Sequence, residues 1–165
     1  DYITVKEEEL HVRSYLKIQK FRYQDILDYR VCFQEELYPY TILKLTLQPI
    51  VENALYHGIK NKRGKGVICV SARRTDNQEM EFTVSDDGVG MTPAELDDLR
   101  ERISGRTKDA ADNIHGIGLL NVNERIRLNY GPQYGLQVES TYGVGTTVTV
   151  RIPAKRCGGF EADNR

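Results

Sequence analysis

Apolar and polar positions change their spacing several times along the chain, and each change marks a different element. Leu10, Tyr15, Leu16, Ile18 and Phe21 recur at roughly helical intervals with charges between them. They follow Thr4-Val5-Lys6-Glu7, which has the form of a helix capping box. The pattern predicts a helix over about 4–24. Leu27, Tyr29, Val31 and Phe33 then alternate with polar residues, the period of a strand, until Pro39 interrupts. Residues 41–58 are dense in apolar positions, among them Ile42, Leu43, Leu45, Leu47, Ile50, Val51, Ala54 and Leu55. They read as a core-facing helix that Pro49 breaks or kinks.

A polar, glycine-containing turn at 61–66 leads to two strands, at about 67–74 and 80–86, joined by the turn chemistry of Asp76-Asn77. Thr92, Pro93 and Glu95 together start a short helix over 93–103. Residues 104–116 lack periodicity and read as a mobile loop; helix resumes over 118–129 and stops at Gly131-Pro132. Two last strands, around Leu136 and Val138 and over 147–152, flank a turn at 142–145. Pro153 ends them, and the polar tail from Lys155 is expected to be disordered. Hairpins outnumber strand–helix–strand crossovers in this order. The predicted fold is therefore a two-layer α/β sandwich, a mixed and mostly antiparallel sheet covered on one face by helices.

Composition narrows the function classes. A chain of 165 residues suits one domain with an appended helix. Its 23 basic and 24 acidic side chains give a net charge of -1, without the electrostatic footprint of a nucleic-acid or anionic-membrane binder. Cys32, Cys69 and Cys157 have no metal-ligand spacing and do not form a secreted disulfide framework. No apolar run approaches a membrane span. The chain opens at Asp1 without Met and runs straight into a helical pattern, so it reads as a fragment, with an upstream anchor left open.

Three glycine-containing segments flank the expected loop: Asp86-x-Gly88-x-Gly90 after a strand, Gly116-Ile117-Gly118 opening a helix, and Gly143-Val144-Gly145-Thr146. Each alone is compatible with an ordinary turn. The second has the better physics, because a glycine pair at a helix N-terminus lets backbone N–H groups approach a phosphate. A fourth spot is Glu52-Asn53, where Asn53 and His57 are four residues apart and share a helix face. A lone carboxamide oxygen suffices for Mg²⁺ that arrives with a nucleotide and keeps several waters.

These four spots, in this order, resemble the ATP-binding domain shared by sensor histidine kinases, DNA gyrase, Hsp90 and MutL, the Bergerat-type fold. Leu47-Gln48-Pro49-Ile50-Val51-Glu52-Asn53-Ala54 is similar to the N box. Asp86-Asp87-Gly88-Val89-Gly90-Met91, His115-Gly116-Ile117-Gly118-Leu119-Leu120-Asn121-Val122 and Gly143-Val144-Gly145-Thr146 are similar to the glycine boxes. The wording LQPIVENALYHGI, GIGLLNVNERI and EEELHVRSYLKIQKFRY resembles the LytS/YesM-type branch of bacterial sensor histidine kinases, over about residues 4–153.

The resemblance implies that Asp86 accepts a hydrogen bond from the adenine amine and that Gly88 and Gly90 let the backbone pass close to the base. It implies Asn53 as the Mg²⁺ ligand, Gly116 and Gly118 with Leu119 at the phosphates, Thr146 at the adenine end, and residues 92–115 as a lid. Met91 packs near the base or in the core. Family members often carry Lys three residues after the N-box Asn, where this chain has Tyr56; His57, Lys60, Arg106 or Lys108 are the candidate substitutes. The hydrolysing relatives place a general-base Glu where this chain has Pro49, which leaves Glu52 as the nearby carboxylate for a catalytic role.

The implied organisation is 1–24 as part of a dimerisation helix, 25–154 as the ATP-binding catalytic domain and 155–165 as a tail. The phosphoacceptor His lies on a helix absent from this chain, and His11 reads as a surface residue. The implied cofactors are ATP and Mg²⁺. The implied partners are the protein's own dimerisation and phosphoacceptor element and a response regulator receiver domain, with no nucleic acid. The full-length protein is expected to be a homodimer, membrane-anchored, with this domain in the cytoplasm. The alternatives are a gyrase- or Hsp90-like ATPase and a non-catalytic nucleotide-sensing module.

Overall fold

The computed structural model describes residues 1–106 and 116–156. The chain runs β1 (Tyr2–Thr4), α1 (Val5–Arg22), β2 (Leu27–Phe33), β3 (Thr41–Leu43) and α2 (Gln48–Asn53), which passes into a π-helical turn, Ala54–Ile59. It continues through β4 (Gly66–Arg74), β5 (Glu79–Asp86), α3 (Pro93–Ile103), α4 (Ile117–Tyr130), β6 (Gly135–Thr141) and β7 (Gly145–Pro153). Among the described residues the main sheet has the order β2-β4-β5-β7-β6, parallel between β2 and β4 and antiparallel elsewhere. This is the mixed, mostly antiparallel sheet that the hairpin count predicts.

Strand alternation decides which face is covered. Ile68, Val70 and Ala72 of β4, Met80, Phe82 and Val84 of β5, and Val148, Val150 and Ile152 of β7 are all buried. They meet Val12 and Leu16 of α1, Ile50 and Leu55 of the α2 segment, and Leu119, Val122 and Ile126 of α4 in one core. Their neighbours in sequence, such as Ser71 and Arg73, are exposed, so the opposite face is polar and carries no helix among the described residues. The capping box expected at Thr4 is complete, whereas at Thr92 only half of the expected box forms, the Glu95 carboxylate accepting from the Thr92 hydroxyl and not from its N–H. Glu7 N–H donates to Thr4 Oγ1 and Thr4 N–H to Glu7 Oε2, and Glu95 N–H donates to Thr92 Oγ1.

The segment 41–58 departs from expectation. It is not one helix. Thr41–Leu43 is a strand that pairs antiparallel with β1, an element the sequence reading did not separate from the opening helix. Leu45 takes φ 59° in the turn that follows. Pro49 then stands in the first turn of α2, where its missing N–H costs no hydrogen bond, so it starts the helix rather than breaking it. A dense apolar run does not by itself distinguish a buried short strand from a buried helix.

The turn before α2 is held by α1. Glu8 of α1 is buried, and its two carboxylate oxygens accept the N–H groups of Leu47 (3.0 Å) and Leu45 (3.3 Å). Part of the expected 104–116 loop and most of the tail, with Lys108, His115 and Cys157, lie outside the described residues.

Candidate functional site

A cavity of about 320 Å³ opens between the π-helical turn, the end of β5, α3 and the start of α4. Asn53 and His57 both reach its wall, as their four-residue spacing predicts. The wider turn is marked by Lys60 N–H donating to Leu55 O, five residues back, at 2.9 Å.

Asp86, the last residue of β5, lies in the same wall. Its Oδ1 accepts the Gly88 N–H at 2.8 Å. Burial, opposed by this bond and reinforced by the neighbouring Asp87, raises its carboxyl to about 6. Thr146 of β7 is its partner across the ladder and also lines the cavity. The Thr146 hydroxyl is 2.8 Å from Ser140 Oγ, which in turn accepts the Met91 N–H at 2.8 Å. Met91 and Gly90 thus reach the wall on a short tether to β6. Gly90 has φ +67°, and a Cβ there would run into the Thr141 carbonyl, so the turn admits no other residue without moving.

On the far side, Gly116 and Leu119 bring the N-terminus of α4 to the cavity edge. Gly116 is the N-cap residue with φ +86°, a left-handed conformation that glycine takes without strain. The first N–H groups of a helix have no intrahelical partner, so this edge presents donors and a positive dipole end.

Three of the expected site residues stand outside the wall. Gly88 packs against the backbone of Gly58, and Gly118 sits opposite Pro49, where an added Cβ would be 3.9 Å from that of the proline. Glu52 accepts a hydrogen bond from Gln48 Nε2 at 3.1 Å and contributes to the electrostatic surroundings of Tyr15 on α1. Tyr56 is also turned towards α1. The Lys60 ammonium sits over its ring at 4.6 Å and over Tyr23 at 5.2 Å, so neither residue supplies charge to the cavity. Arg106 donates to Ser104 Oγ and is not in the wall.

The cation in the wall is Arg102 of α3, a largely buried side chain whose Nε lies 3.1 Å from Asp98 Oδ2. Sequence reasoning did not single it out, nor Gly58 and Asn61, which also line the cavity. Nothing local distinguishes Arg102 from Arg100, whose guanidinium donates instead to Val138 O. Among the described residues no cluster of three or more His, Cys, Asp or Glu side chains is arranged to hold a metal ion. An ion here would need oxygens from a ligand beside the Asn53 amide.

The profile of the histidine kinase-, DNA gyrase B- and HSP90-like ATPase family matches residues 41–156, and the chain belongs to that family. Within it, the similarity is to sensor histidine kinases of the LytS/YesM-like branch. The chain is 34% identical to the sensor histidine kinase YesM of Bacillus subtilis, over 94% of this chain and 24% of that protein. It is 33% identical to the sensor protein LytS of Streptococcus mutans, over 93% and 25% respectively. It therefore spans about a quarter of the length of these relatives. The catalytic domain of the histidine kinase ThkA superposes with a TM-score of 0.67 at 13% identity, covering 94% of this chain and 97% of that one. The mycobacterial sensor histidine kinase MprB gives 0.62 at 17%, covering 95% and 100%. These likenesses establish the shared fold.

Proposed function

We propose that the chain is the ATP-binding catalytic part of a two-component sensor histidine kinase. The observation that carries this reading is the half-buried Asp86 carboxylate in the wall of a cavity that also holds Asn53, Thr146 and the N-terminus of α4. A carboxylate accepts from the amine of adenine and repels the carbonyl that guanine has in its place. Gly90, Met91 and Thr146 frame the base. Gly116, Leu119 and the α4 amides would face the phosphates, with His57 and Arg102 beside them, and Asn53 would supply an oxygen to Mg²⁺. Bound Mg²⁺ neutralises phosphate charge. Gly88 acts at one remove, through its close packing on Gly58, and Gly118 through its place in the first turn of α4.

The γ-phosphoryl group passes to a His on another segment of the protein. A neutral imidazole nitrogen bonds to the phosphorus as the bond to the bridging oxygen breaks, and ADP leaves with that electron pair. What this chain contributes is positioning and charge stabilisation. Glu52, engaged with Gln48 outside the wall, and Pro49, which has no carboxylate, argue against a gyrase-like hydrolase.

Residues 1–24 are proposed to belong to the dimerisation element, 25–154 to the catalytic domain and 155–165 to a tail. α1 leaves Leu10, Ile18 and Phe21 exposed on its outer side, apolar surface suited to a neighbouring helix in a homodimer. A response regulator receiver domain would take the phosphoryl group onward. In a membrane-anchored parent this domain lies in the cytoplasm; no described helix is long and apolar enough to cross a membrane.

The test is to incubate the chain with Mg²⁺, γ-labelled ATP and a longer version of the protein that includes the acceptor helix. Label on a His supports the kinase. Phosphate release without transfer supports the ATPase, and ATP binding with neither supports the sensing module. Asn53→Ala is expected to abolish the Mg²⁺ dependence of ATP binding in calorimetry; a preserved dependence would place the ligand elsewhere.

A further inference from the structure

Gly58 has no counterpart among the glycine-containing segments flanking the loop, yet it touches the group that reads the base. It is buried in the π-helical turn and lines the cavity. A Cβ at this position would stand 2.5 Å from Asp86 Oδ1, 2.8 Å from its Cγ and 3.1 Å from Oδ2. All three of its nearest neighbours are thus atoms of one carboxylate. The other side of that carboxylate is fixed, because Oδ1 accepts the Gly88 N–H at 2.8 Å. Gly88 in turn has no room to retreat: a Cβ on it would fall into the Gly58 backbone, and Val89 N–H donates to Gly58 O at 3.3 Å. The π-helical turn and the segment after β5 are therefore in backbone contact, with the carboxylate seated between the Gly58 Cα and the Gly88 amide.

We propose that Gly58 is a positioning residue for base recognition: its lack of a side chain sets where the Asp86 carboxylate stands, and so how well the site selects a purine amine. This rests on the reading that Asp86 binds adenine, and it adds a residue from a different element to that reading. Any side chain at position 58 displaces the carboxylate from its seat beside the Gly88 amide, and so from the place where it accepts the amine. A hydrogen bond to a charged acceptor depends steeply on such placement.

The experiment compares ATP with purine riboside 5′-triphosphate, which carries hydrogen in place of the amine, by calorimetric titration of four proteins: the natural chain, Gly58→Ala, Asp86→Ala and the double variant. The natural chain should prefer ATP by about tenfold or more, the worth of a hydrogen bond to a charged group. Gly58→Ala should lose most of that preference while binding the amine-free analogue with little change. In the Asp86→Ala background Gly58→Ala should change nothing further, because the two act through one contact.

Equal weakening towards both nucleotides in Gly58→Ala, or an undiminished preference, would overturn the proposal. If Gly58→Ala does not fold, the double variant decides: it should recover the thermal stability of Asp86→Ala, and failure to recover would show that the obstruction is not the carboxylate. A preference for ATP that survives Asp86→Ala would overturn the adenine reading itself. Loss of preference in Asp86→Ala but not in Gly58→Ala would remove Gly58 alone.

Discussion

Burial raises the Asp86 carboxyl from its ordinary 3.8 to about 6, and this has consequences of opposite sign for stability and for binding. In the nucleotide-free fold the ionised form is disfavoured, so between about pH 4 and about 6 the folded state holds more protons than the unfolded one. The stability that this group contributes is present below that window and is lost as pH rises through it. Adenine binding needs the charged acceptor, so nucleotide affinity should fall as pH drops below about 6, by about tenfold per unit where only the ionised form binds. Titrations with adenosine, which carries no titrating phosphate, at pH 5 and pH 7.5 check this, and in Asp86→Asn the fall in affinity towards pH 5 should be lost. Arg102 offers a second residue-scale test. It lines the wall, held by Asp98 at 3.1 Å, and is proposed to meet the phosphates. Arg102→Gln should weaken ATP by about tenfold, the worth of a charge-assisted hydrogen bond, and leave adenosine binding unchanged. Equal loss for adenosine would contradict a phosphate role. Asp86, Gly90 and Thr146 were legible in the sequence because each lies in a short local motif. Arg102 and Gly58 were not, because their significance arises from contacts between segments distant in the chain.

At the scale of elements, the segment that carries Asn53 depends on α1. Leu47, the N-cap residue of α2, makes no side-chain capping bond, and the buried Glu8 carboxylate of α1 holds the turn before the helix by accepting the Leu47 and Leu45 N–H groups. Burial raises the Glu8 carboxyl above its usual value, against the two backbone bonds that lower it. Glu8→Ala leaves two N–H groups without this acceptor, a loss of about 1–3 kcal/mol, while Glu8→Gln, which keeps an acceptor oxygen, should cost less. Thermal unfolding of the two variants measures the difference; an unshifted midpoint in Glu8→Ala would show that Glu8 does not hold this turn. The capping box at Thr4 and the side-chain cap at Thr92 could be read directly, since their partners are three residues apart. The Glu8 anchor of the turn could not, because its partners are 37 and 39 residues away. For the same reason β3 was hidden inside an apolar run: its pairing with β1 is what makes it a strand.

For the molecule as a whole, the two-layer architecture was legible from the strands' alternation, which separates a buried face from a polar one. The parallel pairing of β2 with β4 was not, because residues 34–65 between them include a strand of the small sheet, a helix and a π-helical turn. Helices and strand ends converge on one cavity, whose wall holds both the Asp86 carboxylate and the N-terminal end of α4. The central claim is that this cavity binds adenine nucleotide through Asp86. Calorimetric titration of the chain with ATP and with GTP, alongside folded Asp86→Asn, tests it most directly. Binding of ATP but not GTP, strengthened by Mg²⁺ and severely weakened in Asp86→Asn, is the predicted result. Equal binding of both nucleotides, or undiminished ATP affinity in Asp86→Asn, would contradict it.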